Sequence, residues 1–457
     1  MRSSIPPSQA DLTADDACRA LGIQKATLYA YVSRGLIRSA ATGTASRARR
    51  YNAEDVARLV RRRAVRQAPD HAADDALRWG APVLETRLSA IAGGRYAYRG
   101  RDAVRLAETE PLERVAALLW AGDLGIEASF PDGAPDLPER VRRAQAHWTG
   151  LGVLEAMKLA LPLAAADDPS AWRADPHAQQ RAGGRIVHLL AAVAAAVLQG
   201  EGSLVPGART ATTLAESSAG AASRVGGTSA ATPAIAPAAT RPGRIATCLQ
   251  RAWRPDAPSV AAALDAALVL CADHELNASS FAARVVAGAG SPPYDAVLAG
   301  LAALGGTRHG GHTARVAALL REVDAPDRAE AVLAERLRRG DDVPGFGQRL
   351  YPDGDPRFAP LFALAGAHAV DAAVIARVVA LVAAVHALDG RAPTLDVGLV
   401  ALERALMLPA GAALALFAVG RSVGWIAHAL EQAAEGSMIR PRARYVGEDG
   451  DAGPGAP

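Results

Sequence analysis

The chain has 457 residues, half of them hydrophobic, enough for a sizeable buried core and for two to three folding units. Aromatic residues make up only 4%, so Ala, Leu and Val must fill that core, and such side chains favour closely packed helices over sheet. The formal charge of +3 conceals an asymmetry: residues 1–67 hold 13 Lys+Arg against 5 Asp+Glu, a net of +8, and the remainder carries −5. A basic head on a mildly acidic body implies that the head alone meets a polyanion. Three widely spaced cysteines (Cys18, Cys248, Cys271) exclude a disulfide scaffold and a CxxC pair. The opening MRSSIPPSQADLTADD lacks the apolar stretch of a secretory signal. The longest apolar run, Ile186 to Leu198, falls short of the roughly 20 residues that span a bilayer. A cytoplasmic protein without membrane contact is expected.

In chain order, Thr13 is placed to cap a short helix whose first turn holds Asp15 and Asp16, and Gly22 ends it. A second helix is predicted over Lys25 to Ser33, stopped by Gly35. The tight turn between them suits a helix-turn-helix, whose two axes must meet steeply. Leu36-Ile37, a Gly/Ser/Thr tip at 40–46 and basic residues ending in Tyr51 read as a two-stranded wing. Asn52 then caps a third helix to about Val65.

From about residue 70 to 200 the pattern is helical, with Pro and Gly at the joints. Residues 200–243 are mostly Gly, Ala, Ser, Thr and Pro, a composition with little apolar surface to offset ordering, and predict a flexible insertion. The tail, 447–457, is read the same way.

Beyond Ala261, polar clusters interrupt strong helical periodicity: CADHELN at 271–277, GGTRHGGH at 305–312, PGFGQRLY at 344–351 running on to DPR at 355–357, and PTLD at 393–396. These fall at helix ends beside Gly or Pro, where side chains and free backbone N–H groups converge. Cys271 with His274, or His309 with His312, has metal-like spacing, but two ligands do not make a site, and no metal is expected. The paired glycines are no phosphate loop, because GK[ST] is missing. A histidine in a Gly-flanked loop with a distant aspartate fits acid–base chemistry; equally, His309 alone could serve only as a helix cap.

Two resemblances bear on these strings. ATLYAYVSRGLI and RARRYNAEDV are similar to the winged helix-turn-helix of the MerR family. That resemblance implies DNA contacts from Lys25, Thr27, Tyr29 and Tyr31 on the second helix and from Arg49, Arg50 and Tyr51 at the wing. Over about residues 85–445 the chain resembles citrate synthase. CADHELNASSFAARVV is similar to that family's HADHE helix, GLAALGGTRHGGHTARV to its GPLHGGAN loop, PGFGQRLYPDGDPR to its GFGHRVY…DPR loop, and IRPRARYVG to its C-terminal arginine segment. The resemblance implies an all-α fold with these divisions: head 1–68, large domain 72–308, small domain 309–399, and a return to the large domain over 400–446. His309 would stabilise the enol of an acyl-CoA and Asp396 would take its α-proton. His274, Arg357 and Arg421 would hold oxaloacetate, and Arg440 would come from the partner of a homodimer. Acyl-CoA enters as substrate; no resident cofactor is expected.

One departure stands out. The residue after GFG is a histidine in the family and Gln348 here. Glutamine can donate a hydrogen bond to a ketone oxygen but cannot deliver a proton. Two functions follow: a citrate- or methylcitrate-type acyltransferase, or a transcription regulator whose weakened body senses a keto acid or acyl-CoA.

Overall fold

The computed structural model describes residues 12–33, 36–41, 49–53, 55–56, 84–124, 130–199, 242–307 and 309–443. The predicted 200–243 insertion falls almost wholly outside these residues, as do the wing tip, most of the third head helix and the tail. The chain divides into two units, Met1–Thr86 and Arg87–Pro457.

In the first unit Thr13 accepts a hydrogen bond from the Asp16 N–H (3.2 Å) and opens α1 (Ala14–Leu21), which ends at Gly22. α2 (Lys25–Ser33) follows after a short turn. β1 (Ser39–Ala41) and β2 (Arg49–Tyr51) pair antiparallel with Ser39 opposite Tyr51, the predicted wing. Ala17, Leu21, Leu28, Ile37, Tyr51 and Val56 form the core between them. Asp55 is almost fully buried and accepts from the Arg38 backbone N–H (2.9 Å) and Nε (2.8 Å), tying the wing to the segment after it.

The second unit opens with a meander of β3 (Ser89–Ala92), β4 (Arg95–Tyr98) and β5 (Arg101–Asp102). Strand alternation sends Tyr96 and Tyr98 to one face, where both are buried and share a 2.9 Å hydroxyl hydrogen bond. Among the described residues the regular elements that follow are helices: α3 (Ala103–Thr109), α4 (Leu112–Ala121), α5 (Glu139–Ala144), α6 (Val153–Ala166), α7 (Pro176–Gln199), α8 (Arg244–Trp253), α9 (Val260–Cys271), α10 (Ala278–Gly288) and α11 (Pro293–Leu304). Then come α12 (His312–Glu322), α13 (Ala329–Arg339), α14 (Phe358–Ala367), α15 (Ala372–Asp389), α16 (Leu395–Ala405) and α17 (Ala412–Glu435). The fold is all-α, as the alanine- and leucine-rich composition predicts.

α17 is the central post, packed against α4, α7, α9, α10 and α11. Its approach to α9 is set by two glycines one turn apart. A Cβ on Gly420 would meet the Leu268 carbonyl oxygen at 2.5 Å, and one on Gly424 would meet the Ala272 carbonyl oxygen at 2.3 Å. Between them stands Arg421, whose position is therefore fixed by backbone-to-backbone contact. At the starts of α4 and α8, buried Asp265 and half-buried Glu113 cap the helices. Asp265 accepts from the Leu112 N–H (3.0 Å) and the Gly243 N–H (2.7 Å), and Glu113 accepts from the Ile245 N–H (3.0 Å).

The expectation that no apolar stretch is long enough to cross a bilayer needs correction. Pro176–Leu198, Ala372–Asp389 and Ala412–Glu435 are long and apolar enough by length and composition. The helices extend beyond the uninterrupted apolar run used for that expectation. The first and third are 72% and 83% buried within the protein, so their apolar surface is spent on the core. The second is only 22% buried.

Replacing Gly420 with Ala pushes α17 off α9. Chemical denaturation is expected to show a loss of about 1–3 kcal/mol; unchanged stability would refute the close-contact account of the crossing.

Candidate active site

α9 ends at Cys271, and the next residues turn sharply to start α10. Asn277 makes the turn: its Oδ1 accepts from the Ser279 N–H (3.1 Å), the Ser280 N–H (3.0 Å) and the Ser279 hydroxyl (2.7 Å). Between these helices Asp273 is fully buried. Its Oδ2 accepts from the Ser89 hydroxyl (2.5 Å), and Oδ1 lies 3.2 Å from His428 Nε2, a close approach off the hydrogen-bond line. Burial opposes the charge on Asp273, but His428, Arg421 and Ser89 outweigh it and hold the carboxyl below its ordinary value.

His274 follows, 7% exposed. Burial, then the charges of Arg357, Arg421 and His309, push its pKa well down, so it stands as a neutral imidazole. Its Nε2 is 3.0 Å from the Tyr351 hydroxyl. His309, in the loop between α11 and α12, is half-buried and its Nε2 lies 2.8 Å from Ser279 Oγ. Burial, then Arg421 and His312, lower it to about 4. The Ser279 hydroxyl has one proton, within reach of both Asn277 Oδ1 and His309 Nε2; when it turns from Asn277 to Nε2, the neutral ring carries its own hydrogen on Nδ1 as a donor.

Arg421 is 1% exposed. Its Nε donates to the Cys271 carbonyl at 2.7 Å and its guanidinium lies over the Phe417 ring. No carboxylate among the described residues comes within ion-pair distance of it. Arg357 differs. Its Nε and Nη2 engage Asp355 in a buried two-point pair at 2.9 and 2.7 Å, with the guanidinium over the rings of Tyr96 and Tyr351. The second oxygen of Asp355 also accepts from the Leu395 N–H (3.1 Å), the first residue of α16. The pair thus joins Arg357 to the helix that carries Asp396. Asp396 lies deep among protein atoms yet keeps an edge open to solvent, as a cleft-lining group does. Burial raises its pKa, against the lowering influence of His312 and Arg357.

His274, His309, Arg357, Arg421 and Asp396 therefore lie within one electrostatic neighbourhood. Gln348 is half-buried and its carbonyl accepts from the Tyr351 N–H (3.0 Å), starting the turn that brings Tyr351 to His274. Arg440 is exposed and makes no ion pair with this cluster among the described residues. Sequence reasoning missed Ser279, Asn277, Tyr351 and Asp355 as working parts, although each stood inside a quoted string.

In the head, Lys25, Thr27 and Tyr29 are exposed on α2, with Lys25 paired to Asp15 at 2.7 Å. Arg49 and Arg50 are exposed on β2, where Arg49 Nε donates to Ser39 Oγ (3.1 Å). Tyr31 packs partly into the core. Tyr51 is a correction: at 2% exposure its ring braces the wing from inside and faces no external ligand.

The site holds two neutral histidines, one paired guanidinium, one unpaired guanidinium and a carboxylate at the cleft. An unpaired buried cation costs several kcal/mol until an anion joins it. Arg421→Met is expected to leave the ligand-free protein as stable as the wild type or more so. A small dicarboxylate is expected to raise the melting temperature of the wild type, and the same change should abolish that rise. A persisting rise would contradict an anion site at Arg421.

The family model for the citrate synthase C-terminal domain matches residues 76–442, and that of a helix-turn-helix domain matches residues 12–64. The chain is 39% identical over 193 residues to a citrate synthase of Haloferax volcanii, covering 41% of this chain and 51% of that protein. It is 34% identical over 185 residues to 2-methylcitrate synthase 2 of Corynebacterium glutamicum, covering 40% and 48%. The matched stretch spans about half the length of these curated relatives. Among solved structures, citrate synthase from Thermotoga maritima superposes with a TM-score of 0.64 at 23% identity, over 81% of this chain and 95% of that one. The ternary complex of carboxymethyl coenzyme A and oxaloacetate with citrate synthase from Thermoplasma acidophilum gives 0.65 at 22%, over the same shares, so the likeness extends to the whole fold. With its family model matching residues 76–442, over a site assembled from the same motifs, the chain belongs to the citrate synthase family.

Proposed function

We propose that the protein condenses acetyl-CoA, or another short acyl-CoA, with oxaloacetate and water, giving citrate or an alkylcitrate and free CoA. The observation that carries this reading is the buried, carboxylate-free guanidinium of Arg421 beside two neutral histidines and a cleft aspartate of raised pKa. Oxaloacetate supplies the missing anion: its carboxylates meet Arg421, Arg357 and His274, and Arg440 of a second subunit completes the set in a homodimer. Asp396 removes the α-proton of the thioester while His309 Nδ1–H donates to the thioester oxygen, so charge does not build up on an unsupported enolate. The enol carbon then attacks the oxaloacetate ketone, and water hydrolyses the resulting thioester to release CoA. Movement of residues 309–399 as a small domain over the large one would exclude bulk water during the first step.

Gln348 marks the weak step. Its amide donates a hydrogen bond to the ketone oxygen but brings no proton, which costs on the order of 10²–10³ in rate. Release of CoA thiol from acetyl-CoA and from propionyl-CoA, each with oxaloacetate, tests the reading. Slow turnover in the wild type and a rise of about 10²-fold in Gln348→His are expected. Asp396→Asn should lose turnover while still binding oxaloacetate. Silence of both wild type and Gln348→His would overturn the proposal. Because Asp396 must be ionised to act and its pKa is raised, the acid limb of kcat/KM should lie above the ordinary carboxylate range of about 4. A limb at or below that range would contradict the assignment.

A second reading, a regulator answering to the ligand of this site, is favoured by the basic helix-turn-helix head with Thr27, Tyr29, Arg49 and Arg50 exposed. Anisotropy with labelled duplex DNA should then show affinity falling steeply with salt and changing with added oxaloacetate. No binding even at low salt would remove it.

A further inference from the structure

His274 sits in a turn whose backbone leaves the ordinary range. The next residue, Glu275, is held at φ +56°, in the left-handed region that crowds the Cβ of any residue but glycine. Of the three non-glycine residues at positive φ among the described residues, it is the one beside a predicted ligand contact. Such a backbone persists only where surrounding groups over-determine it.

Here those groups come from the β3–β4 pair. Ser89 and Tyr98 stand opposite each other in the register, on one face, and both are buried. The Ser89 hydroxyl donates to Asp273 Oδ2 at 2.5 Å and accepts the Glu275 N–H at 3.0 Å. The Tyr98 hydroxyl accepts the Asp273 N–H at 3.2 Å and donates to the Val269 carbonyl at 2.8 Å. His274 is thereby bracketed: the residue before it is held twice, the residue after it once, and its own carbonyl accepts from Asn277 Nδ2 at 3.4 Å. From the opposite side α17 leaves the turn no room to retreat. A Cβ on Gly424 would stand 2.3 Å from the Ala272 carbonyl oxygen and 2.7 Å from Asp273 Oδ1. The ring of Tyr96, also on β4, meets the His274 ring edge-on at 5.6 Å and lies under the Arg357 guanidinium.

We propose that Ser89 is a positioning residue for His274: its hydroxyl locks the 273–275 turn in the conformation that aims the imidazole at Tyr351 and at a bound carboxylate. The proposal rests on the reading of His274 as an oxaloacetate contact. Without the hydroxyl, the Glu275 N–H loses its acceptor and Asp273 loses a donor. The backbone at 275 then relaxes out of the left-handed region and carries the preceding ring off its partners.

The test reads ring geometry and ligand affinity separately in full-length protein. With nitrogen-15 in the histidine rings, the His274 signals are identified by their loss in His274→Asn. Ser89→Ala is expected to move them and to weaken oxaloacetate binding, measured by calorimetry, about tenfold. Adding Glu275→Gly, which makes the left-handed backbone accessible without strain, should return both toward the values of Glu275→Gly alone. A merely structural role would lower the melting temperature and leave the ring signals in place. Unmoved ring signals, an oxaloacetate affinity within twofold of wild type, or a shift that Glu275→Gly does not reverse each overturns the proposal. If Ser89→Ala does not fold, Ser89→Cys, which keeps the shape with a weaker donor, is read by the same criteria. A wild type that binds no oxaloacetate overturns the functional reading instead, and the ring signals still decide whether Ser89 positions His274.

Discussion

A guanidinium buried at 1% exposure without a carboxylate partner is the constraint on which the site depends. Arg421 can be there only because α17 and α9 touch backbone to backbone at Gly420 and Gly424 and because the Cys271 carbonyl takes its Nε. No carboxylate among the described residues pairs with it directly, although buried Asp273 feels its charge from further off. A site that keeps such a group unpaired stores binding energy for a small anion, whereas the neighbouring Arg357 has already been paired with Asp355. The two arginines thus stand differently: Arg421 has no carboxylate partner among the described residues, and Arg357 ties the pocket wall to the helix that bears Asp396.

The two histidines follow from the same field. Burial and the nearby guanidinium groups hold both neutral, which makes them hydrogen-bond donors and acceptors of fixed orientation rather than charges. The Ser279 hydroxyl at His309 and the Tyr351 hydroxyl at His274 hold the rings in place. Each of these partners comes from an element fixed by capping or turn chemistry, the Asn277 cap in one case and the turn begun by Gln348 in the other.

Much of this was legible beforehand. The helix caps at Thr13 and Asn52, the wing strands and the all-α body follow from local residue chemistry, and four polar clusters mark the chemically active helix ends. What escaped the sequence was pairing across the fold. Asp355 reads as part of a DPR string, and only folding shows it bridging Arg357 and the Leu395 N–H. Tyr51 reads as a wing residue, yet a strand's two-residue alternation decides which face it takes, and that face is the head core. The long apolar helices exceed any uninterrupted apolar run in the sequence, because a buried helix tolerates polar groups that the core satisfies.

In the proposed reaction Gln348 would meet the electrophile, whereas Asp396, His309 and Ser279 would serve the carbon acid. The two halves of that reaction would therefore be separable. The most direct measurement is exchange of solvent deuterium into the methyl group of acetyl-CoA, followed by NMR in the presence of a non-condensing dicarboxylate that fills the Arg421 site. The account predicts exchange catalysed by the wild-type protein, insensitive to Gln348→His and lost in Asp396→Asn. No exchange above the uncatalysed rate with the dicarboxylate bound would contradict it.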